Sequence, residues 1–302
     1  MRSENFARAS ETSTVSSVLE TVTAPASSER TASTMSRAGT TDEPSSMPIT
    51  STLVAAYWDL GRLLTAMRAL MLSAFFIMVA TSVAAELVPQ RLWDQELAGE
   101  ALGFAQNAVE AFLLTPIVIA IHRFVIRNKI TPNYTVPIGE PVFSIFFGWL
   151  LALKVLIGLP FDLLGVLQTL DWSPPASALA VALALIAAAG VSLRLTVLLP
   201  ALAVEAPGAT PSHALADTKG HVLRLLALFL LALAPWLAAE IGGALLLGRG
   251  AMITGSPLAM LALVMGGVLQ TITLSLTAVI ASHAFMALAA QVKRAAQPHV
   301  PA

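Results

Sequence analysis

Six stretches of about 20 residues or more, nearly free of charge, limit this chain more than any other feature. A bilayer core about 30 Å thick is crossed by about 20 apolar residues as helix. The stretches run from about Leu63 to Val88, Phe104 to Ile126, Val142 to Leu170, Ala176 to Leu199, Val222 to Leu247, and Leu258 to Ala290. In lipid, backbone polar groups must pair within the protein, so only helices and closed barrels cross. No strand-like alternation of barrel type is present, so helices are expected. The chain is 56% hydrophobic and only 12% charged, with mean hydropathy +0.78. A soluble fold carries about twice that share of charge. The expected fold is an all-α, polytopic transmembrane helix bundle of six spans, occupying residues 51–302.

Residues 1–50 have a different character. Ser and Thr dominate, apolar residues are scattered, and both signs of charge are mixed. Such a segment buries too little apolar area to offset the entropy of ordering, so a disordered tail is expected. No short apolar run follows a basic start, as a secretory signal would require, and the acids argue against a transit peptide. Met35 and Met47 are alternative starting points. The absence of cysteine excludes disulfides, Cys-ligated zinc, iron–sulfur clusters and thiol nucleophiles. A net charge of -1 gives no basic excess for nucleic acid. No cofactor and no metal site are expected; His213, Asp217 and His221 have ligand-like spacing, but Gly220 breaks the helix between them, so a solvated face is expected instead.

Lys and Arg set the orientation. Arg62, Arg68, Arg123, Arg127, Lys129, Arg194, Lys219, Arg224, Lys293 and Arg294 all fall on one side of six alternating spans. The other side has Arg91 and Arg249 among Asp94, Glu96, Glu100 and Asp171. The positive-inside rule then puts both termini in the cytoplasm. Two interfacial helices are expected: Leu92–Ala98 outside, and one inside that opens on Thr210 as N-cap and Pro211 as first residue. Pro160 and Pro235 fall inside spans and should kink them. Ala176, Ala180, Ala184 and Ala188 make a small-residue face on span four, which predicts a central position for that span.

Ionisable residues at membrane depth are the first candidates for a functional site. Glu110, Lys154 and Asp162 stand out, with Glu240 near the outer end of span five and His122 and His283 near the inner side. At 1.5 Å per residue, Glu110 lies about 9 Å below the outer boundary and Asp162 about 12 Å outward of Lys154 on a similar face. One reading is a relay, with Lys154 central and the two carboxylates above it. The other, preferred, is structural: a pair of Lys154 with Glu110 or Asp162 that holds two helices, or Asp162 simply at the wet interface. Gln270, Thr273 and Thr277 form one polar stripe of span six, expected as hydrogen-bonding contacts between helices. His122, Arg123 and Arg127 are expected to anchor to phosphate headgroups.

The stretch after span four carries a resemblance. It reads Arg194, Pro200-Ala201, Glu205, a Pro/Gly turn, Ala214-Leu215, and Thr218-Lys219-Gly220 before span five. This resembles a broad group of bacterial six-helix inner-membrane proteins. The group includes the membrane domain attached to some glycerophosphodiester phosphodiesterases and related uncharacterised families. Asp217 stands where that group has a Ser. The resemblance implies six-helix architecture and a bacterial inner membrane, with Arg194, Pro200, Glu205, Thr218 and Gly220 as the shared cytoplasmic motif. No soluble segment here is large enough to hold a phosphodiesterase domain.

Catalytic signatures such as G-x-S-x-G, H-E-x-x-H and the phosphate-binding Gly loops are missing. The expected function is therefore a non-enzymatic scaffold, accessory or envelope-associated component, with membrane lipid and other membrane proteins as partners. The alternative is a small-solute or proton-coupled transporter using Lys154, Asp162 and Glu110. A lipid-headgroup hydrolase built on Ser282 and His283 is disfavoured, because adjacent residues on a helix point apart.

Overall fold

The computed structural model describes residues 48–89, 96–247 and 257–289. Among them the chain forms nine helices: α1 (Ile49–Ala66), α2 (Arg68–Leu87), α3 (Glu96–Arg127), α4 (Pro141–Thr169), α5 (Pro174–Arg194), α6 (Leu198–Ala203), α7 (Pro211–Asp217), α8 (Val222–Leu247) and α9 (Pro257–Leu288). Proline opens four of them, at residues 141, 174, 211 and 257. Its fixed φ suits the first helical position, where the missing N–H costs nothing. Asn128, Asp171 and Glu205 adopt φ of 52°, 55° and 53° just past α3, α4 and α6, and Gly220 has φ 83° after α7. These left-handed residues stop the helices and let the chain turn.

Six segments are long and apolar enough to cross a membrane: Arg68–Ala85, Ala98–Arg127, Pro141–Thr169, Pro174–Ala203, Val222–Gly243 and Pro257–Leu288, with mean hydropathy of 1.8 to 2.2. The chain is an all-helical, multi-pass membrane protein. Its spans follow those expected from the sequence, with one correction at the start. Leu63 does not begin span one. The helix breaks at Met67 (φ -123°, ψ 39°), and residues 49–66 form the separate helix α1. Ala56, Leu60 and Leu63 recur at i, i+4 and i+7 and are buried, whereas Trp58 is 72% exposed. This one-sided pattern makes α1 an amphipathic helix laid on the bundle rather than part of a span. Residues 1–47, nearly all of the expected tail, lie outside the described residues, as do Leu92–Gln95 of the expected outer interfacial helix.

Helix α9 is the hub, packing on α1, α2, α3, α6 and α8. Buried side chains gather in its second half, from Ser275 to Leu288, and in α3 from Leu114 to Phe124. The same core includes Leu198, Ala201 and Ala203 of α6, Ala214 of α7, and Leu225 and Leu228 of α8. The core therefore lies at the end of the bundle where α1, α6 and α7 sit, hereafter the proximal end. Helix α2, 20 residues long, spans about 30 Å by its rise. Its first turn lies at that end, where α1, α6 and α7 cap the bundle.

Gly267 allows the close approach of α9 to α2: a Cβ there would stand 2.6 Å from Val79 Cγ2 and 3.2 Å from Phe75 Cε2. Helices α4 and α5 form a peripheral hairpin held to the bundle through α3 and α6 on α4 and through α8 on α5. This corrects the central position expected for span four, whose best window is only 11% buried. Its alanine face does admit a neighbour, since Ala184 and Ala188 line the groove with α4. A small-residue stripe serves close packing on one neighbour, and that alone does not make a helix central.

Candidate functional site

Lys154 on α4 and Glu110 on α3 form an ion pair, Nζ to Oε1 2.7 Å, with side chains 25% and 19% exposed. The edge-to-face contacts of Phe112 with Phe143 and Phe147 join the same two helices. Asp162 does not join the pair. It lies eight residues further along α4, about 12 Å by helical rise. There it is exposed in a groove of about 550 Å³ between α4 and α5, with Pro160, Leu163, Ala184 and Ala188. The three-residue relay is not assembled, because Glu110 reaches Lys154 and leaves Asp162 on the far side of Pro160.

The polar stripe of α9 is also corrected. Gln270 is exposed, and Thr273 and Thr277 are only half-buried; Thr273 Oγ1 is enclosed without a hydrogen-bond partner. The buried polar side chains are instead Thr271, Ser275 and Ser282. Thr271 donates to the Gly267 carbonyl (2.7 Å), Ser275 to Thr271 (2.7 Å) and Ser282 to Ala278 (2.9 Å). Each hydroxyl is satisfied by its own helix and adds little length, so this face packs closely.

His122 is no headgroup anchor. It is buried, its Nδ1 is 2.8 Å from Ser282 Oγ, and its ring lies 6.0 Å from that of Phe146. Its Nε2 is enclosed without a partner. The neighbouring His283 points elsewhere, toward α1: its Nε2 is 3.0 Å from Asp59 Oδ2. Asp59 pairs with Arg62 (3.1 Å), which donates to Asn128 Oδ1 (2.9 Å) and sits over the Phe124 ring. The Tyr57 hydroxyl donates to the Ala232 carbonyl (2.7 Å). These ties fix α1 to α3, α8 and α9. Sequence reasoning missed them; the signal present was the apolar period of residues 56, 60 and 63.

The motif residues meet in one structural clasp. Arg194 donates to the Leu215 carbonyl (2.9 Å), and Thr218 donates back to the carbonyls of Arg194 (2.9 Å) and Ala214 (2.8 Å). Pro200 is buried in α6. Glu205 ends α6 and pairs with Arg123 (2.9 Å), whose Nε donates to the Ala203 carbonyl (2.7 Å); Arg127 donates to the Val204 carbonyl. Arg123 and Arg127 thus bind carbonyls at the C-terminal end of α6, where positive charge is favoured. Gly220 supplies the turn from α7 into α8. Helix α7 runs as expected from its Thr210 cap, which accepts from the His213 N–H at 3.4 Å. His213 Nδ1 lies 3.0 Å from the Gly208 carbonyl, and His221 stands beyond α7.

A third intrahelical proline, Pro116 in α3, passed unnoticed in the sequence. The α3–α4 connection folds back beside it, and the Tyr134 hydroxyl donates to the Leu113 carbonyl (2.9 Å) one turn before Pro116. Pro116 takes the helical donor from the Phe112 carbonyl, and Tyr134 ties the connection to the next carbonyl along, beside that gap. Burial pushes the Tyr134 phenol above its ordinary pKa, which keeps the donor protonated.

No protein family, curated protein or solved structure matches this chain.

Proposed function

We propose that the protein is a non-enzymatic scaffold or accessory component of a bacterial inner membrane, with its proximal end and both termini in the cytoplasm. The observation that carries this reading is the dispersal of the ionisable groups. Glu110 and Lys154 are spent on each other between α3 and α4. Asp162 opens onto a different groove, and Gln270, Thr273 and Thr277 stand apart on α9, exposed or half-buried. A carrier for an ion or solute gathers such groups around one wet site at mid-depth. The orientation is supported by the basic side chains, since Arg62, Arg123, Arg127 and Arg194 all engage the proximal cap. Kinship with the six-helix inner-membrane group rests on the clasp, where Arg194, Glu205, Thr218 and Gly220 each hold a turn or a tie.

The test is a flux screen in liposomes holding wild type, Lys154→Ala or Asp162→Asn. The reading expects no proton or solute flux above empty vesicles in any of the three. A wild-type flux abolished by both substitutions overturns it in favour of a transporter.

A further inference from the structure

A cavity of about 290 Å³ lies at the proximal end between α2, α3 and the α3–α4 connection. Its floor is apolar, made by Leu70, Pro116 and Ile119. Its mouth carries Arg123, Lys129 and Asn133, with Glu140 on the rim. Seven residues separate Pro116 from Arg123, so the cavity runs about 10 Å along α3 from an oily to a charged end. Leu70 belongs to the first turn of α2, so the cavity sits at the proximal end of a helix of membrane-spanning length. The connection that roofs the cavity is pinned by Tyr134 on the Leu113 carbonyl and by the Thr131 N–H, which donates to Met67 Sδ (3.3 Å). Non-helical backbone at such depth is tolerated where protein buries it or where it lines a cavity.

We propose that this cavity is a binding site for the phosphodiester headgroup of an anionic phospholipid in the proximal leaflet. Arg123 has five N–H donors and gives one to the Ala203 carbonyl and one to Glu205. The others, with the Lys129 ammonium, can donate to phosphate oxygens. Lys129 makes no ion pair among the described residues. The Glu140 carboxylate on the rim accepts hydrogen bonds and repels a second anionic charge, which suits a singly charged phosphodiester bearing hydroxyl groups. The volume is at the low end for small-molecule pockets, so it takes a headgroup and leaves the acyl chains to the outer face of the bundle. The site requires only that the chain is a membrane protein; it is independent of whether the chain carries a flux.

The test is native mass spectrometry of the full chain in detergent, with phosphatidylglycerol, phosphatidylcholine or inorganic phosphate added at equal concentration. Phosphatidylglycerol adducts are expected to survive activation that strips phosphatidylcholine, and inorganic phosphate is expected neither to bind nor to compete. Lys129→Ala should weaken phosphatidylglycerol retention about fivefold, the effect of one lysine beside an anionic lipid. Lys219→Ala, which removes an exposed basic residue outside the cavity, should leave it unchanged. Arg123→Lys keeps the charge and loses the fork, so it should lower retention while the protein still folds. Equal retention of the two lipids overturns the proposal, as does equal loss in Lys129→Ala and Lys219→Ala. Competition by inorganic phosphate would identify a soluble anion as the ligand and overturn the lipid assignment.

Discussion

Replacing one partner of the Glu110–Lys154 pair should cost more than replacing both. The 2.7 Å contact joins side chains that are about one-fifth to one-quarter exposed, and the surroundings are helix faces or lipid. Breaking a fully buried pair costs about 3–5 kcal/mol, and a lone charge at the centre of a membrane helix about 2.5–3.5 kcal/mol. Partial exposure puts this pair at the lower end, so Lys154→Met or Glu110→Leu alone should destabilise by about 2–3 kcal/mol. Met preserves most of the lysine stem's packing, which isolates the loss of charge. The double variant should return to within about 1 kcal/mol of wild type, since apolar replacement of an intact pair is often neutral. Equilibrium unfolding in mixed micelles, followed by circular dichroism, reads all four corners of the cycle. Single effects below about 0.5 kcal/mol that add in the double variant would refute the reasoning.

Three further substitutions test the packing. Gly267→Ala places a methyl group 2.6 Å from Val79 Cγ2 and should lower stability by about 1–3 kcal/mol; an unchanged unfolding midpoint would show that α2 and α9 are not in close contact there. Ser282→Ala strips the His122 ring of its Nδ1 partner and should cost about 1–3 kcal/mol in the same assay, with stability regained in a Ser282→Ala/His122→Phe double variant. Gly220→Ala forces a side chain into φ 83° and should cost about 1 kcal/mol, read as a lower thermal midpoint; no change would mean the turn relaxes.

The spans were legible because a long uncharged run is a one-dimensional signal: residues 141–169 and 257–288 announce themselves whatever packs beside them. The proline-opened helix at Thr210 was legible for a similar local reason. Which face of a span turns inward is not local. In α9 two polar stripes compete, and only the packing of α2 against Gly267 and of α3 against Ser282 selects 271, 275 and 282 over 270, 273 and 277. In a lipid solvent both faces are apolar enough, so hydropathy does not arbitrate. Helix α1 was obscured by its own continuity with span one; the break at Met67 is a backbone event with no proline or glycine to announce it. The Glu110–Lys154 pair was one of two weighed partners, and reach decided it. The clasp residues were noticed as a motif, but their hydrogen bonds to carbonyls belong to the fold and leave no pattern in side-chain type.

The central claim is that the chain crosses the membrane six times with α1, α6 and α7 together on the cytoplasmic face. The chain has no cysteine, so single-cysteine variants report cleanly. Ser173, in the exposed α4–α5 turn, and Ser212, exposed on α7, are separated by one crossing, which puts them on opposite faces. An impermeant maleimide applied to right-side-out membrane vesicles should label Ser173→Cys and spare Ser212→Cys, with the reverse in inside-out vesicles. Labelling of both positions from the same face would contradict the account.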